Sequence, residues 1–285
     1  MTGTFIYIAP MLVGAITVYV AETIERRKWT YYFWAPFVAN CFFVLGTLVI
    51  MIEGLICAIV IVPMFAMIGT LGGLAMGIVC RVTNWPRRAI YSLAVLPIAL
   101  GLGGDHLPTP NVLSSLQRSV VVHAPPAQVW HQLNNATGIR PEEFDATWAS
   151  RIGVPMPLSG VTVLTAQGRV RKSLWNKKVH FDEPITDWQP ERYMRWTYRF
   201  HPTSFPPHAL DDHVMIGGHY FDLHDTSFTL TPVPEGTRLD INAHYRVSTQ
   251  FNFYSERVAQ WLLGNMLDTG LVFYKNRSEA VPVKQ

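Results

Sequence analysis

The densest cluster of groups able to do chemistry is the run Asp211-Asp-His-Val-Met-Ile-Gly-Gly-His-Tyr-Phe-Asp-Leu-His-Asp225, which offers three imidazoles and four carboxylates, all possible metal ligands. Its spacing argues against a closed site. On an extended strand His219 and His224 point to opposite faces, so they cannot share a tetrahedral ion unless Gly217-Gly218 bends the chain. Asp222 and His224 share a face, but a zinc site needs three or four convergent ligands. The stretch therefore reads as an ordered loop and edge strand whose Asp and His side chains bond turn amides, and no metal is expected. For acid–base work the candidates are Tyr198 and Tyr245, phenols on apolar strand faces, with His131 on a short helix. A buried phenol must bond something, and most such tyrosines are core residues with one satisfied hydroxyl. No Ser-His or Cys-His pairing has the spacing of a nucleophile and its base. Gly101, Gly103 and Gly104 follow an apolar run instead of a strand, so they form no phosphate loop, and no nucleotide or other cofactor is expected.

The elements that must position these groups divide the chain into two unlike parts. Of its 285 residues 49% are apolar and 15% charged, and the mean hydropathy is +0.17. Up to Gly104 there are six basic and three acidic residues, and 17 of each follow, so the whole net charge of +3 sits in the first part. A water-soluble single domain is excluded, because no aqueous core absorbs apolar runs of this length. Nucleic-acid binding loses its motive, since the second part is neutral and has no basic block. Cys41, Cys57 and Cys80 all lie in the apolar part, so no disulfide framework staples the other, and the redox compartment stays open.

Residues 1–104 read as a multi-pass membrane domain of four helices: Thr4 to Val20, Tyr31 to Ile52, Gly54 to Cys80 and Ala89 to Gly103, measured against a hydrocarbon core of about 30 Å. The last is short, about 22 Å as a helix, and contains Pro97, which leaves a re-entrant hairpin as its alternative. Every basic residue falls in the first loop (Arg26, Arg27, Lys28) or the third (Arg81, Arg87, Arg88), whereas Glu53 and Gly54 alone separate the middle pair. The positive-inside rule then places those loops in the cytoplasm and the C-terminal domain outside, periplasmic to a cytoplasmic membrane. Trp29, Tyr31, Tyr32, Trp34 and Trp85 gather at the same ends, where aromatic rings favour the headgroup level. The first stretch lacks a basic n-region and reads as a retained helix, not a cleaved signal. Gly69, Gly73 and Gly77 leave one face of the third helix bare, for packing within the bundle or for a dimer or partner seam. Asn40 and Glu53 are the only strongly polar groups near membrane depth, too few for a proton relay or ion path.

A proline-containing linker is expected over 105–116, and a second domain over 117–285. Ser119 to His123 reads as a strand, Ala124 to Leu133 as a helix with proline in its first turn, and Pro141 to Arg151 as another helix. From Gly160 the period becomes two. Arg192 to Phe200 sets Met194, Trp196, Tyr198 and Phe200 on one face; Thr226 to Thr231 adds Phe228 and Leu230; Arg238 to Val247 alternates Leu239, Ile241, Ala243, Tyr245 and Val247 with polar residues. Glu235-Gly236 turns the last two into antiparallel neighbours. Asn252 to Glu279 is a helix of about seven turns with two apolar stripes, Val258, Trp261, Leu262 and Met266 on one and Leu263, Leu267, Leu271 and Tyr274 on the other.

Val-Val-Val-His-Ala-Pro-Pro-Ala-Gln-Val-Trp-His-Gln-Leu (120–133) resembles the opening strand and helix of the SRPBCC, or START-related, superfamily of polyketide cyclases and lipid-transfer domains. Trp-Gln-Pro-Glu-Arg (188–192), Gly-Thr-Arg-Leu (236–239) and the helix ending Tyr-Lys-Asn-Arg-Ser-Glu (274–279) are similar to the same group, over about 117–280. The resemblance implies an α+β helix-grip domain, an antiparallel sheet around a long C-terminal helix with an apolar cavity beneath it, and no universal catalytic motif. Trp196, Tyr198, Phe200, Phe228, Tyr245, Val258, Trp261 and Leu262 are the expected lining of that cavity. Three functions stay open: a membrane-anchored module binding a lipid or other hydrophobic small molecule, a cyclase- or aromatase-like enzyme, and an accessory subunit of a membrane complex.

Overall fold

A computed structural model of the chain describes residues 3–50, 54–83, 109–144, 147–210 and 215–280. It divides into two compact units, Met1–Thr109 and Pro110–Gln285.

Among the described residues of the first unit three helices are long and apolar enough to cross a membrane, α1 (Gly3–Ile24), α2 (Trp29–Val49) and α3 (Leu55–Val82). The fourth expected span, Ala89 to Gly103, lies outside the described residues, as do Glu53, Trp85, Arg87 and Arg88. Small residues let the three helices approach closely. A Cβ on Gly69 would strike the Asn40 amide, on Gly73 the Pro36 ring and on Gly77 the Tyr32 ring. Of the two readings of the glycine face, packing within the bundle is the one these contacts make. Asn40, fully buried, donates to the carbonyls of Pro36 (2.9 Å) and Pro10 (3.3 Å), tying α2 to α1. At one end the three helices share a polar knot. Tyr32 donates to Glu22 (2.7 Å), Arg81 donates to the Tyr32 hydroxyl (3.1 Å) and to the Arg27 carbonyl (2.8 Å), and the Arg81 guanidinium lies over the Trp29 ring. The end of α1, the start of α2 and the end of α3 thus meet, as the charge pattern requires.

The second unit is one eight-stranded antiparallel sheet, in the order β1-β8-β7-β6-β5-β4-β3-β2. Its elements are β1 (Asn111–Val122), α4 (Pro126–Asn134), β2 (Asn135–Ala136), a 3₁₀ turn (Pro141–Glu143), α5 (Trp148–Arg151), β3 (Pro157–Thr165), β4 (Gly168–Trp175), β5 (His180–Gln189), β6 (Tyr193–Thr197), β7 (Phe221–Val233), β8 (Gly236–Ser248) and α6 (Asn252–Glu279). Strand β1 begins eight residues before the expected Ser119 and takes up part of the expected linker, because it pairs with β8 without a break from Asn111↔Ser248 to Val122↔Thr237. Ser115, Gln117 and Ser119, exposed on an edge strand, hid the period. The helix expected over Pro141 to Arg151 is two short pieces, since Thr147 accepts from the Ser150 N–H and starts a fresh turn. Between β7 and β8 the chain reverses over two residues. Gly236, at φ +140°, leads into β8 with the Val122 carbonyl where a Cβ would stand.

Helix α6 has the limits read from the sequence, and it lies along β1. Asn252 donates to the Pro110 carbonyl (2.7 Å), Ser114 to Glu256 (2.5 Å) and Lys275 to the Val121 carbonyl (2.9 Å), while Arg118 pairs with Asp268 (3.2 Å). These ties fix its rotation. Leu263, Leu267, Leu271 and Tyr274 are buried against Met194, Trp196, Phe228, Leu239, Ile241 and Tyr245 of the sheet, with Val129 and Leu133 of α4 closing one end.

Candidate functional site

Inward-facing positions of β4 and β5 carry charge where apolar residues would be ordinary. Arg171 and Glu183 sit opposite each other in the β4–β5 register, and both are buried. Arg171 donates to Glu183 (2.5 Å), to Ser173 (3.0 Å) and, through its other terminal nitrogen, to the Tyr274 hydroxyl on α6 (2.9 Å). Ser173 donates to the same Glu183 oxygen (2.8 Å). The guanidinium fits because position 160 on β3 is glycine; a Cβ there would lie 2.1 Å from an Arg171 nitrogen. Burial works against the Arg171 charge, but Tyr274 and Glu183 outweigh it and raise the guanidinium above its ordinary value.

Aromatic rings enclose this knot. The Arg171 guanidinium stands 5.5 Å from the Trp196 ring centre, Trp196 lies 5.6 Å from Phe228, and Phe228 meets Tyr274 edge-on at 5.8 Å. One donor remains without an acceptor among the described residues, Arg171 Nε, while the Trp196 indole has the Tyr198 hydroxyl beside it and the buried Tyr245 hydroxyl has Ser114 and Gln260. Tyr198, half-buried, shares a hydrogen bond with Thr226 (2.7 Å), and burial of its hydroxyl end pushes the phenol well above its usual range.

Of the eight residues expected to line a cavity, Trp196, Phe228 and Tyr245 belong to the core between sheet and helix, and Tyr198 packs against it. Phe200 sits in a separate cluster with Val179, Phe181 and Ala209. Val258 and Leu262 are half-buried, and Trp261 is 52% exposed, so the helix turns its other stripe inward. Sequence reasoning missed Arg171, Ser173 and Glu183, and had Tyr274 only as a member of an apolar helix stripe. The signal for Arg171 and Glu183 was opposite charge at inward positions, legible once register is known.

The polar run expected as a loop and edge strand is, from Phe221 on, strand β7 in the interior of the sheet. Asp225, buried on its outer face, accepts two bonds from Arg195 (3.0 Å each) and one from His244 (2.9 Å); these outweigh burial and hold its carboxyl below the ordinary range. Asp211, Asp212 and His213 lie outside the described residues, and no group of three metal-ligating side chains occurs among the described ones. His131 is exposed on α4, beside a shallow cavity of 440 Å³ that α4 forms with β3, β4 and β5.

An antiparallel sheet wrapped on a long C-terminal helix, with a buried polar knot between them, defines a helix-grip domain. The chain belongs to the polyketide cyclase/dehydrase and lipid transport family, whose profile matches residues 114–279. Among solved structures it is similar to a Mesorhizobium loti protein (14% identity, 60% of this chain and 100% of that one, TM-score 0.36). It is similar also to a Nitrosomonas europaea protein (12%, 56% and 91%, TM-score 0.32) and to the di-domain ARO/CYC BexL of the BE-7585A biosynthetic pathway (17%, 75% and 64%, TM-score 0.38). No curated protein matches the sequence.

Proposed function

We propose that this protein is a membrane-anchored binding module whose grip holds an apolar molecule bearing an oxygen acceptor, such as a lipid, isoprenoid or polyketide. The observation that carries the reading is a buried donor, Arg171 Nε, left without an acceptor in an aromatic surround. Each unsatisfied donor costs about 1–3 kcal/mol, and a buried ion pair is commonly no more stable than apolar residues in its place. A core built only for stability has no reason to keep such a donor, whereas a ligand oxygen would satisfy it. Trp196, Tyr198, Phe228 and Tyr245 would line the site; Phe200 and Trp261 are left out because they lie elsewhere.

The test is native mass spectrometry and solvent extraction of the full chain in nanodiscs. A co-purifying hydrophobic species is expected, retained several-fold less by Trp196→Phe at unchanged Tm. Absence of any such species, with no rise in Tm on adding lipid or isoprenoid, would remove the reading.

The domain is proposed to lie outside the cytoplasm of a cytoplasmic membrane, with Ala89 to Gly103 as a fourth span. Arg26, Arg27, Lys28 and Arg81 support it, since they gather at the one end where α1, α2 and α3 share their polar knot. The rival reading, a cyclase-like enzyme, uses the same interior. Tyr198, holding its proton near neutral pH, would then donate to a substrate carbonyl. That chemistry needs cytoplasmic substrates, so topology separates the two.

A further inference from the structure

We infer that the exposed aromatic face on the N-terminal half of α6 rests on the bilayer that anchors the chain, with anionic phospholipid as its partner. Phe253, Arg257 and Trp261 follow one another at four-residue steps, one above the other on the helix, and all are exposed, Phe253 by 67%. Trp148 of α5, 56% exposed, stands 6.3 Å from Trp261, and the Arg151 guanidinium lies 5.8 Å over the Trp148 ring. Neither Arg151 nor Arg257 has an ion-pair partner among the described residues. Indole and phenyl rings interleaved with unpaired arginines are ill suited to water and to a protein core alike. They match the headgroup layer, where rings sit at the apolar boundary and guanidinium groups meet phosphate.

Chain connectivity places this face within reach of such a layer. The last apolar stretch of the sequence ends at Gly103, whether it crosses the membrane or re-enters it. Pro110 is held by Asn252 at the first turn of α6 (2.7 Å), and seven residues at about 3.5 Å each give a tether of at most roughly 25 Å. Phe253 to Trp261 extends only about 12 Å along the helix. The inference rests on the membrane anchoring proposed above and not on the occupancy of the grip. If both hold, an apolar ligand moves between bilayer and grip with little exposure to water.

The full chain is reconstituted in nanodiscs of phosphatidylcholine with a minority of phosphatidylglycerol, carrying Phe253→p-benzoylphenylalanine or Trp261→p-benzoylphenylalanine. A control carries the photoprobe in place of Leu164, 78% exposed on β3. After irradiation, mass spectrometry is expected to find phospholipid adducts at 253 and 261 and none at 164. Yields should fall several-fold in phosphatidylcholine alone or on adding Arg257→Gln. Missing adducts at 253 and 261, adducts to a second copy of the protein there, or equal adducts at 164 would overturn the docking; yields indifferent to phosphatidylglycerol would overturn the anionic partner. Co-purifying ligand is scored in the same samples, so failure of the grip reading is seen separately.

Discussion

Arg171 and Glu183 trade one buried charge against another, and the value of each depends on the other's presence. Glu183→Ala should cost about 3–5 kcal/mol, because it strands a guanidinium in the core. The double variant Arg171→Met, Glu183→Leu should come within about 1 kcal/mol of the parent, or exceed it, while ligand retention falls. Chemical denaturation alongside native mass spectrometry checks both halves. A second pair at the domain's rim has a pH signature. The Arg277 hydrogen bonds to Glu143 outweigh partial burial and, with the Arg140 N–H, hold the Glu143 carboxyl at about 2 against an ordinary 4.5. Because the folded value is depressed, its stabilisation is whole above pH 4.5 and fades as pH falls toward 2. So near the surface it amounts to about 1 kcal/mol at most. Glu143→Gln should therefore lower Tm slightly at pH 7, less at pH 3, and make almost no difference by pH 2, measured by thermal melts across that range.

Helix rotation and helix spacing are where the elements make their own predictions. On α6 the buried stripe is Leu263, Leu267 and Leu271, and Trp261 is on the open side. Leu267→Ala should cost about 2–5 kcal/mol, whereas Trp261→Ala should cost below about 1 kcal/mol. Equal losses in a denaturant titration would mean that the ties to β1 do not set the rotation. In the membrane unit, Gly73→Ala puts a methyl 2.2 Å from the Pro36 ring carbon and near the Tyr32 carbonyl, forcing α2 and α3 apart. Gly46→Ala meets nothing within 4 Å. The first should lower Tm in detergent by several degrees and the second should leave it unchanged or slightly raised, since alanine favours helix.

For the molecule as a whole, the open question of orientation turns on a count of crossings. An alkaline phosphatase fusion at Gln285 is expected to be active and a green fluorescent protein fusion dark. The reverse pattern would mean that Ala89 to Gly103 does not cross, place the grip in the cytoplasm, and bring the cyclase reading forward. The membrane part was legible from long apolar runs and charges confined to loops, both of them sums over many residues. Within that bundle, only the packed helices decide that Gly69, Gly73 and Gly77 face Asn40, Pro36 and Tyr32.

Local patterns alone determined that long apolar helices precede an antiparallel sheet, the helix over Asn252 to Glu279, the β7–β8 hairpin and the family of the second unit, because hydropathy and the periods 2 and 3.6 are properties of consecutive residues. Strand register is not. Arg171 meets Glu183 only because β4 and β5 pair as they do, and a shift of one residue would turn the guanidinium to the outer face. The same holds for α6, whose two apolar stripes have similar composition. Polar ties from Pro110, Ser114, Arg118 and Val121, spread along a strand more than a hundred residues earlier in the chain, choose the stripe that enters the core and leave Trp261 outside.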